Sequence, residues 1–342
     1  MHMTDALLSP AVGAAMCAVS AAANAYAAKK IKKDDLCDKK IPVMGVMGAF
    51  VFAAQMVNFA VPATGSSGHI GGGILLCAMI GAFPALLSMS AVLVIQCLFF
   101  ADGGLLALGC NIFNMGVVPC LLVYPLIFGP IVKKGMTIKR LTAASVAAVV
   151  VALQLGAFCV VLQTELSGIT ELPFATFLFL MQPVHLAIGV AEGAITAAVL
   201  CFVYKMRPEI MESSFERKAI SGGVPMKKTI VALCAAALFV GVVLSMFSSG
   251  LPDGLEWATE KTIEAAGTAE PEIKSAILKK AASIQQGIAL MPDYDFKESQ
   301  KEPPAAGAPI AGLVGGALCF CLAGASALAI SAFKKKRKTT KT

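Results

Sequence analysis

Charged residues are scarce in this chain, and so are aromatic residues with a polar edge. Asp, Glu, Lys and Arg make up 14% of the 342 residues, whereas soluble proteins have about 25%. There are one Trp, four Tyr and three His, while hydrophobic residues reach 57%. This composition excludes a soluble enzyme, a disordered chain and a disulfide scaffold. It indicates an integral membrane protein whose apolar helices face lipid.

Motifs for ATP hydrolysis and for common enzyme chemistry are also missing. The chain has no GxxxxGK[ST] phosphate loop, no HExxH and no GxSxG. Its eleven cysteines have no CxxC spacing, and most lie in apolar segments, where small apolar side chains fill helix interfaces. We therefore expect a protein that is not an enzyme and does not hydrolyse ATP itself. Active transport would take its energy from a partner chain or from an ion gradient.

Apolar segments recur along the whole sequence, and a transmembrane helix needs about 20 such residues. They predict an all-α polytopic membrane protein with about nine spans. The nine predicted spans are 4–28, 41–61, 70–82, 85–101, 105–131, 141–163, 175–204, 228–247 and 309–332. The third span is short and Pro84 separates it from the fourth, so 70–101 forms either two tilted helices or a re-entrant pair.

Basic residues are concentrated in alternate connections between these spans. Lys and Arg total 28, and 22 of them lie in 29–40, 133–140, 205–228 and the tail from 334. Because short basic loops stay on the cytoplasmic side, this pattern predicts an outer N-terminus and an inner C-terminus. The protein would be a multi-pass component of the cell membrane.

The N-terminus carries a dipeptide with specific coordination chemistry. Residues 1–5 lack the basic region of a secretory signal, and we expect the amine of Met1 to remain free. That amine, the amide nitrogen of His2 and Nδ1 of His2 can close a five-membered and a six-membered chelate ring on one ion. A fourth nitrogen would give the square plane that Ni(II) or Cu(II), and less strictly cobalt, prefers. The alternative is that His2 is an arbitrary second residue.

His69 is the candidate for the fourth nitrogen, because it lies on the same predicted side as Met1. Five glycines occur within 65–73 around it, and glycine lets the backbone approach a buried object closely. Irregular backbone at membrane depth is tolerated only where protein or a cavity surrounds it. A flexible outer turn with a hydrogen-bonded histidine is the simpler interpretation.

His185 and Glu192 suggest a different function. They are seven residues apart, which places them on one face of the seventh predicted span. Ionisable residues within a span cost roughly 2.5–3.5 kcal/mol on insertion scales and are functional candidates by default. The pair could relay protons in a proton-coupled secondary transporter of divalent metals, hold a second metal, or hold helices together. One carboxylate and one imidazole about 10 Å apart along a helix axis do not by themselves make a metal site. A metal sensor without transport is a third alternative.

The only sizeable outer segment, 248–308, is acidic. It contains ten acidic and six basic residues, a local balance of −4, with no His or Cys. It would attract cations weakly, or it is simply a solvated linker. We expect it to supply no direct metal ligands.

Three groups of residues resemble the CbiM/NikM family of metal-capturing subunits. These are Met1-His2 with Leu8-Ser9-Pro10, the Gly-Ser-Ser-Gly-His69 loop, and the stretch from His185 through Glu192-Gly-Ala-Ile-Thr. The similarity covers roughly 1–215. The remainder resembles the NikN-like companion module, with an intact Pro-Asp-Gly-Leu-Glu motif that starts at Pro252 and a Met-Pro-Asp-Tyr stretch that starts at Met291.

This resemblance implies a substrate-binding subunit of a prokaryotic energy-coupling factor transporter that imports Ni(II) or Co(II). It implies metal bound by Met1, His2 and His69, with no permanent cofactor. It also implies two domains, a metal-capturing core (1–219) and a companion module (220–342). The partners would be a transmembrane coupling subunit, two ATPase subunits and membrane lipid, without nucleic acid.

Overall fold

A computed structural model of the chain describes residues 2–31, 35, 39–220, 226–296 and 307–339, and this part is mainly helical. Seven described helices are long and apolar enough to cross a membrane. They are Pro10–Lys30 (α1), Ala82–Phe100 (α4), Leu108–Lys133 (α5), Ile138–Ser167 (α6), Phe174–Met206 (α7), Met226–Phe247 (α9) and Gly307–Lys334, which is part of Gly307–Thr339 (α12). The shorter helices are Lys40–Gln55 (α2), Gly73–Ile80 (α3), Pro208–Phe215 (α8), Gly254–Ala266 (α10) and Ala276–Ile288 (α11). The prediction of an all-α polytopic membrane protein is confirmed.

Two of the nine predicted spans, 41–61 and 70–82, are not among these seven helices. The apolar run 41–61 is helical only to Gln55, and its end belongs to an antiparallel hairpin of Phe59–Val61 (β1) and Ser66–Gly68 (β2). The run 70–82 contains only the eight-residue α3, about 12 Å long. Hydropathy cannot distinguish a spanning helix from a buried one, because both are apolar all round. The count of nine and the orientation stay predictions.

The segment before α1 is not α-helical, so α1 begins at Pro10 and not at the predicted residue 4. Ser9 caps the helix by accepting the Val12 N–H, and Pro10 follows as the first helical residue, where its missing N–H costs nothing. A short 3₁₀ turn at Asp5–Leu7 precedes the cap. Residues 2–8 are therefore available to form a site.

The helix α2 lies at the centre of the bundle, and the C-terminal helix α12 covers one side of it. Phe52 of α2 is fully buried and lies in one apolar cluster with Cys319 of α12. Gly48 faces the Ala323 side chain of α12 closely. The predicted companion module thus contributes directly to the core of the bundle.

The outer surface of the bundle is strongly apolar. Phe179 and Phe202 of α7 are 75% and 65% exposed, and Leu166 of α6 is 67% exposed. Such an apolar surface is favourable in contact with lipid and unfavourable in contact with water. The inner face of α6 carries Ala144 and Ala148, both fully buried, and small residues allow the close helix approach that membrane bundles use.

Candidate metal centre

Hydrogen bonds to α5 and to the loop between α4 and α5 hold the N-terminal segment in place. The Met3 N–H donates to Asn111 Oδ1 at 2.8 Å, and the Gly104 N–H donates to the Met3 carbonyl at 2.9 Å. The Asp5 carboxylate accepts the Ala107 N–H at 2.9 Å. Because Met3 is completely buried, this segment has one defined path. Met1, the predicted amine ligand, lies outside the described residues.

His69 directly follows the β1–β2 hairpin and begins the glycine-rich turn into α3. Gly72 in this turn has φ = 78°, a left-handed conformation that glycine adopts without steric cost. Its N–H donates to Glu192 Oε1 at 2.9 Å. Nδ1 of His69 lies 3.3 Å from the Ile70 carbonyl. A carbonyl only accepts, so Nδ1 carries the proton and Nε2 carries the lone pair.

The structure brings His2 and His69 together. Their imidazole rings stack with centroids 5.3 Å apart and planes inclined by 27°. Burial lowers the pKa of His2 and lowers that of His69 well below its usual value. Both imidazoles are therefore neutral at neutral pH, which is the form that binds metal ions.

A buried chain of amide side chains links His2 to the turn after His69. Gln55 Nε2 donates to the Gly71 carbonyl at 2.8 Å, so Gln55 Oε1 must accept from Gln96 Nε2, also at 2.8 Å. Gln96 Oε1 is then left as the acceptor for Nε2–H of His2 at 3.1 Å. Since the carbonyl at one end can only accept, the whole chain has one direction. It leaves the lone pair of His2 on Nδ1, the nitrogen that the chelate ring requires.

An acidic side chain lies on the other side of His2. Asp102 Oδ1 is 3.4 Å from His2 Nδ1, longer than a good hydrogen bond. Its second oxygen accepts the Tyr294 hydroxyl at 2.5 Å, and burial raises the pKa of Tyr294 well above its usual value, which keeps it a donor. Gln285 also donates to the Gly103 carbonyl at 2.7 Å. The companion module therefore supports the loop beside His2.

The companion module also contacts the hairpin that carries His69. The Ser67 N–H donates to the Pro252 carbonyl at 2.7 Å, and the Ser67 hydroxyl donates to the Leu251 carbonyl at 2.7 Å. Asp253 then caps α10 in a reciprocal capping box with Glu256. The start of the Pro-Asp-Gly-Leu-Glu motif thus hydrogen-bonds to the edge of the hairpin, and the rest of the motif forms the capped first turn of α10.

His185 and Glu192 lie closer to the outer site than their sequence positions suggested. They line a cavity of about 40 Å³ that is also lined by His69 and Asp253. Gly254 lies against His185, since a side chain at that position would meet His185 Nε2 at 3.3 Å. His69 and the α7 pair, which the sequence analysis treats as separate candidates, therefore face one cavity.

Reasoning from the sequence missed Gln55, Gln96 and Asp102. A signal for the two glutamines was present, because each is a polar amide inside an apolar run, and such residues are expensive in a membrane. Among the described residues, no group of three or more His, Cys, Asp and Glu side chains could hold a metal ion. A site made of two imidazoles and backbone nitrogens contains no such group.

Comparisons with known proteins agree with these features. Residues 2–210 match the family described as the cobalt uptake substrate-specific transmembrane region, CbiM, and residues 227–332 match the PDGLE domain. The fused nickel transport protein NikMN of Rhodobacter capsulatus is 27% identical, over 96% of this chain and 97% of its own length. The cobalt transport protein CbiM of Geobacter sulfurreducens is 29% identical, over 72% of this chain and 71% of its own.

A solved structure supports the same assignment. The crystal structure of a transition metal transporter superposes with a TM-score of 0.53 and 27% sequence identity, covering 63% of this chain and 98% of that one. These relatives are metal transport proteins. Together with the seven apolar helices, they indicate a multi-pass membrane protein of a prokaryote. The resemblance predicted from the motifs is confirmed. The chain belongs to the CbiM family, and a PDGLE domain is fused to its C-terminal side.

Proposed function

We propose that this chain captures Ni(II) or Co(II) for import at the extracytoplasmic face of the membrane. The ion binds in a site of four nitrogens. The ligands are the Met1 amine, the His2 amide nitrogen, Nδ1 of His2 and Nε2 of His69. The observation that carries this proposal is the stacked pair of His2 and His69, with its rings 5.3 Å apart. Two imidazoles on one ion, with metal–nitrogen distances near 2 Å, have centroids roughly 4–6 Å apart. Small ring rotations would complete the site.

We also propose a division of labour between two domains, 1–219 and 220–342. Residues 1–219 supply every proposed ligand, while 220–342 supply Pro252 beneath the hairpin and Tyr294 beside Asp102. The companion module would position the ligand-bearing segments without binding the ion. The solved transition metal transporter corresponds to only 63% of this chain, although nearly all of that transporter is covered. This supports a core that is separable from the companion module.

We further propose that import is driven by ATP through a transmembrane coupling subunit and two ATPase subunits. The alternative is proton-coupled transport through His185 and Glu192. Reconstitution of the full chain with its partners in vesicles, and measurement of radioactive nickel uptake, separates the two. We expect uptake to require ATP and to persist when an uncoupler collapses the proton gradient. Uptake that follows the proton gradient without ATP would establish the alternative.

The glutamine chain gives a prediction about positioning. Gln96→Leu removes the acceptor of His2 Nε2–H, so the proton can move to Nδ1 and block the chelate. We expect roughly 10–100-fold weaker Ni(II) binding, the usual cost of removing an outer hydrogen-bond partner. Equilibrium dialysis of the purified full chain measures it. Gln154→Leu is the matched control, because its amide donates to the Gln182 carbonyl, away from His2, and this variant should bind normally.

The pH dependence of binding follows from which groups release protons. Burial lowers the pKa of His2 and His69, so both are already deprotonated at pH 7 and release nothing. The Met1 amine, with a reference pKa of about 7.7–8.0, and the His2 amide each lose a proton. Affinity should therefore fall roughly 100-fold per pH unit below pH 7, with about two protons released per ion. Titration calorimetry in buffers of different ionisation enthalpy counts them, and a pH-independent affinity from 5 to 8 would indicate carboxylate ligands.

A further inference from the structure

A row of buried polar side chains lies along α7, and two of them, His185 and Glu192, line the cavity that His69 also lines. His185, Glu192 and Thr196 are 1%, 2% and 1% exposed. Their spacings of seven and eleven residues are close to two and three helical turns, so all three share one face of α7. One polar atom of each, His185 Nε2, Glu192 Oε2 and Thr196 Oγ1, has no hydrogen-bond partner in the part of the chain that the structure describes.

The state of His185 is set by its other nitrogen. Nδ1 lies 2.8 Å from the Met181 carbonyl, one turn earlier in α7. The carbonyl can only accept, so Nδ1 carries the proton and Nε2 presents a lone pair to the cavity. This is the arrangement in which histidine binds cations, with its second nitrogen held by a carbonyl.

Glu192 presents a carboxylate oxygen to the same cavity. Its Oε1 accepts the Gly72 N–H at 2.9 Å, while Oε2 faces the cavity beside Gly71. Burial of a carboxylate is unfavourable unless it is paired with a cation or protonated. Among the described residues that line the cavity there is no Lys or Arg. A cation within the cavity would offset this cost.

The cavity has room for such an ion. Its free space of about 40 Å³ exceeds the roughly 10–15 Å³ that one buried water needs. An ion together with one or two waters would fit. By the predicted orientation α7 runs inward from Phe174, so Glu192 lies deeper than His185 and His69.

We propose that Glu192 forms an inner binding station for the transported divalent cation, distinct from the outer four-nitrogen site. Glu192 Oε2 and water would be its ligands, and His185 Nε2 would offer a nitrogen donor at the outer end of the same wall. This inference rests on the proposed function, since it gives the captured ion a second position along its path. Oxygen and mixed ligands bind Co(II) more weakly than four nitrogens, so the station releases its ion readily.

The test is the number of Co(II) ions bound by the purified full chain in equilibrium dialysis. The wild-type chain should bind one ion tightly and a second at least tenfold more weakly. Glu192→Gln keeps an oxygen for the Gly72 N–H but loses the charge, and it should retain the tight ion and lose the weak one. Glu165→Gln, which removes an exposed carboxylate of α6, is the control and should bind both ions.

Other outcomes separate this inference from the proposed function. If Glu192→Gln still binds two ions, there is no inner station. If it loses the tight ion as well, Glu192 only positions the His69 turn, and the inference is equally wrong. His69→Ala should lose the tight ion and keep the weak one. If His69→Ala retains the tight ion, the outer four-nitrogen site is wrong. Loss of the weak ion in Glu192→Gln would support the inner station even in that case.

Uptake in reconstituted vesicles gives a second readout. Glu192→Gln should slow nickel uptake at least tenfold at saturating metal, although capture at the outer site is normal. A merely structural carboxylate, replaced by an amide of the same shape, would leave uptake unchanged. Normal uptake by this variant contradicts a station on the transport path.

Discussion

A single residue added before Met1 should weaken Ni(II) binding by more than roughly a thousandfold, about 4 kcal/mol. The extension converts the Met1 amine into an amide and moves the charged amine one residue away. The five-membered ring with the His2 amide nitrogen then loses its terminal donor. A retained formyl group should have the same effect. The measurement compares dialysis of the untagged chain with a chain that carries one extra N-terminal glycine.

The structure indicates that the extended chain cannot restore the chelate by a shift of its N-terminal segment. His2 is 7% exposed at its side chain, and Met3 is tied to Asn111 and Gly104 on its other side. The segment cannot slide by one residue without breaking these bonds and moving Met3 out of its buried position. A tag after Thr342 is the matched control and should leave binding unchanged. Equal affinity of the two tagged proteins would remove the N-terminal chelate from the site.

The long helices could be predicted from the sequence because each needs only its own apolar composition. The short elements could not. Whether Lys40–Gln55 is a span or a buried helix depends on α12, which follows more than 250 residues later and packs on Phe52. The β1–β2 hairpin is stabilised by the edge that Pro252 provides. Such pairings between distant segments leave no periodic signal in either segment.

The residues of the candidate site also fall into those that the sequence predicts and those that only the structure brings together. His2 and His69 could be paired because there are three histidines and the basic loops place two of them on one side. The chain through Gln55 and Gln96 could not be foreseen, since it needs α2 and α4 to face each other at one level. The proximity of His185 to Gly254 also depends on how the companion module folds back over the bundle. Composition and topology predict which side of the membrane a residue reaches, but not its neighbours.

His2→Ala and His69→Ala should each weaken Ni(II) binding by more than the roughly 10–100-fold that outer hydrogen-bond partners contribute. His185→Ala should change the affinity for the tightly bound ion by less than tenfold. The stacked rings of His2 and His69 are the reason for the first expectation. The second follows because the Nε2 of His185 faces the cavity at the level of Gly254, where it is not a ligand of the outer ion. Dialysis of the three variants under identical conditions gives the comparison.

A difference between these variants is more informative than any single loss, because each removes one imidazole that the fold covers wholly or in part. Damage to the fold alone would reduce binding in all three, and His185 is at least as buried as His2. His69→Gln offers a further control, since it fills the same space with an amide that cannot replace an imidazole in a square plane of nitrogens. If His185→Ala loses the ion while His69→Ala keeps it, the capture site lies beside His185 and Glu192 of α7. Proton-coupled transport through His185 and Glu192 would then be the better explanation.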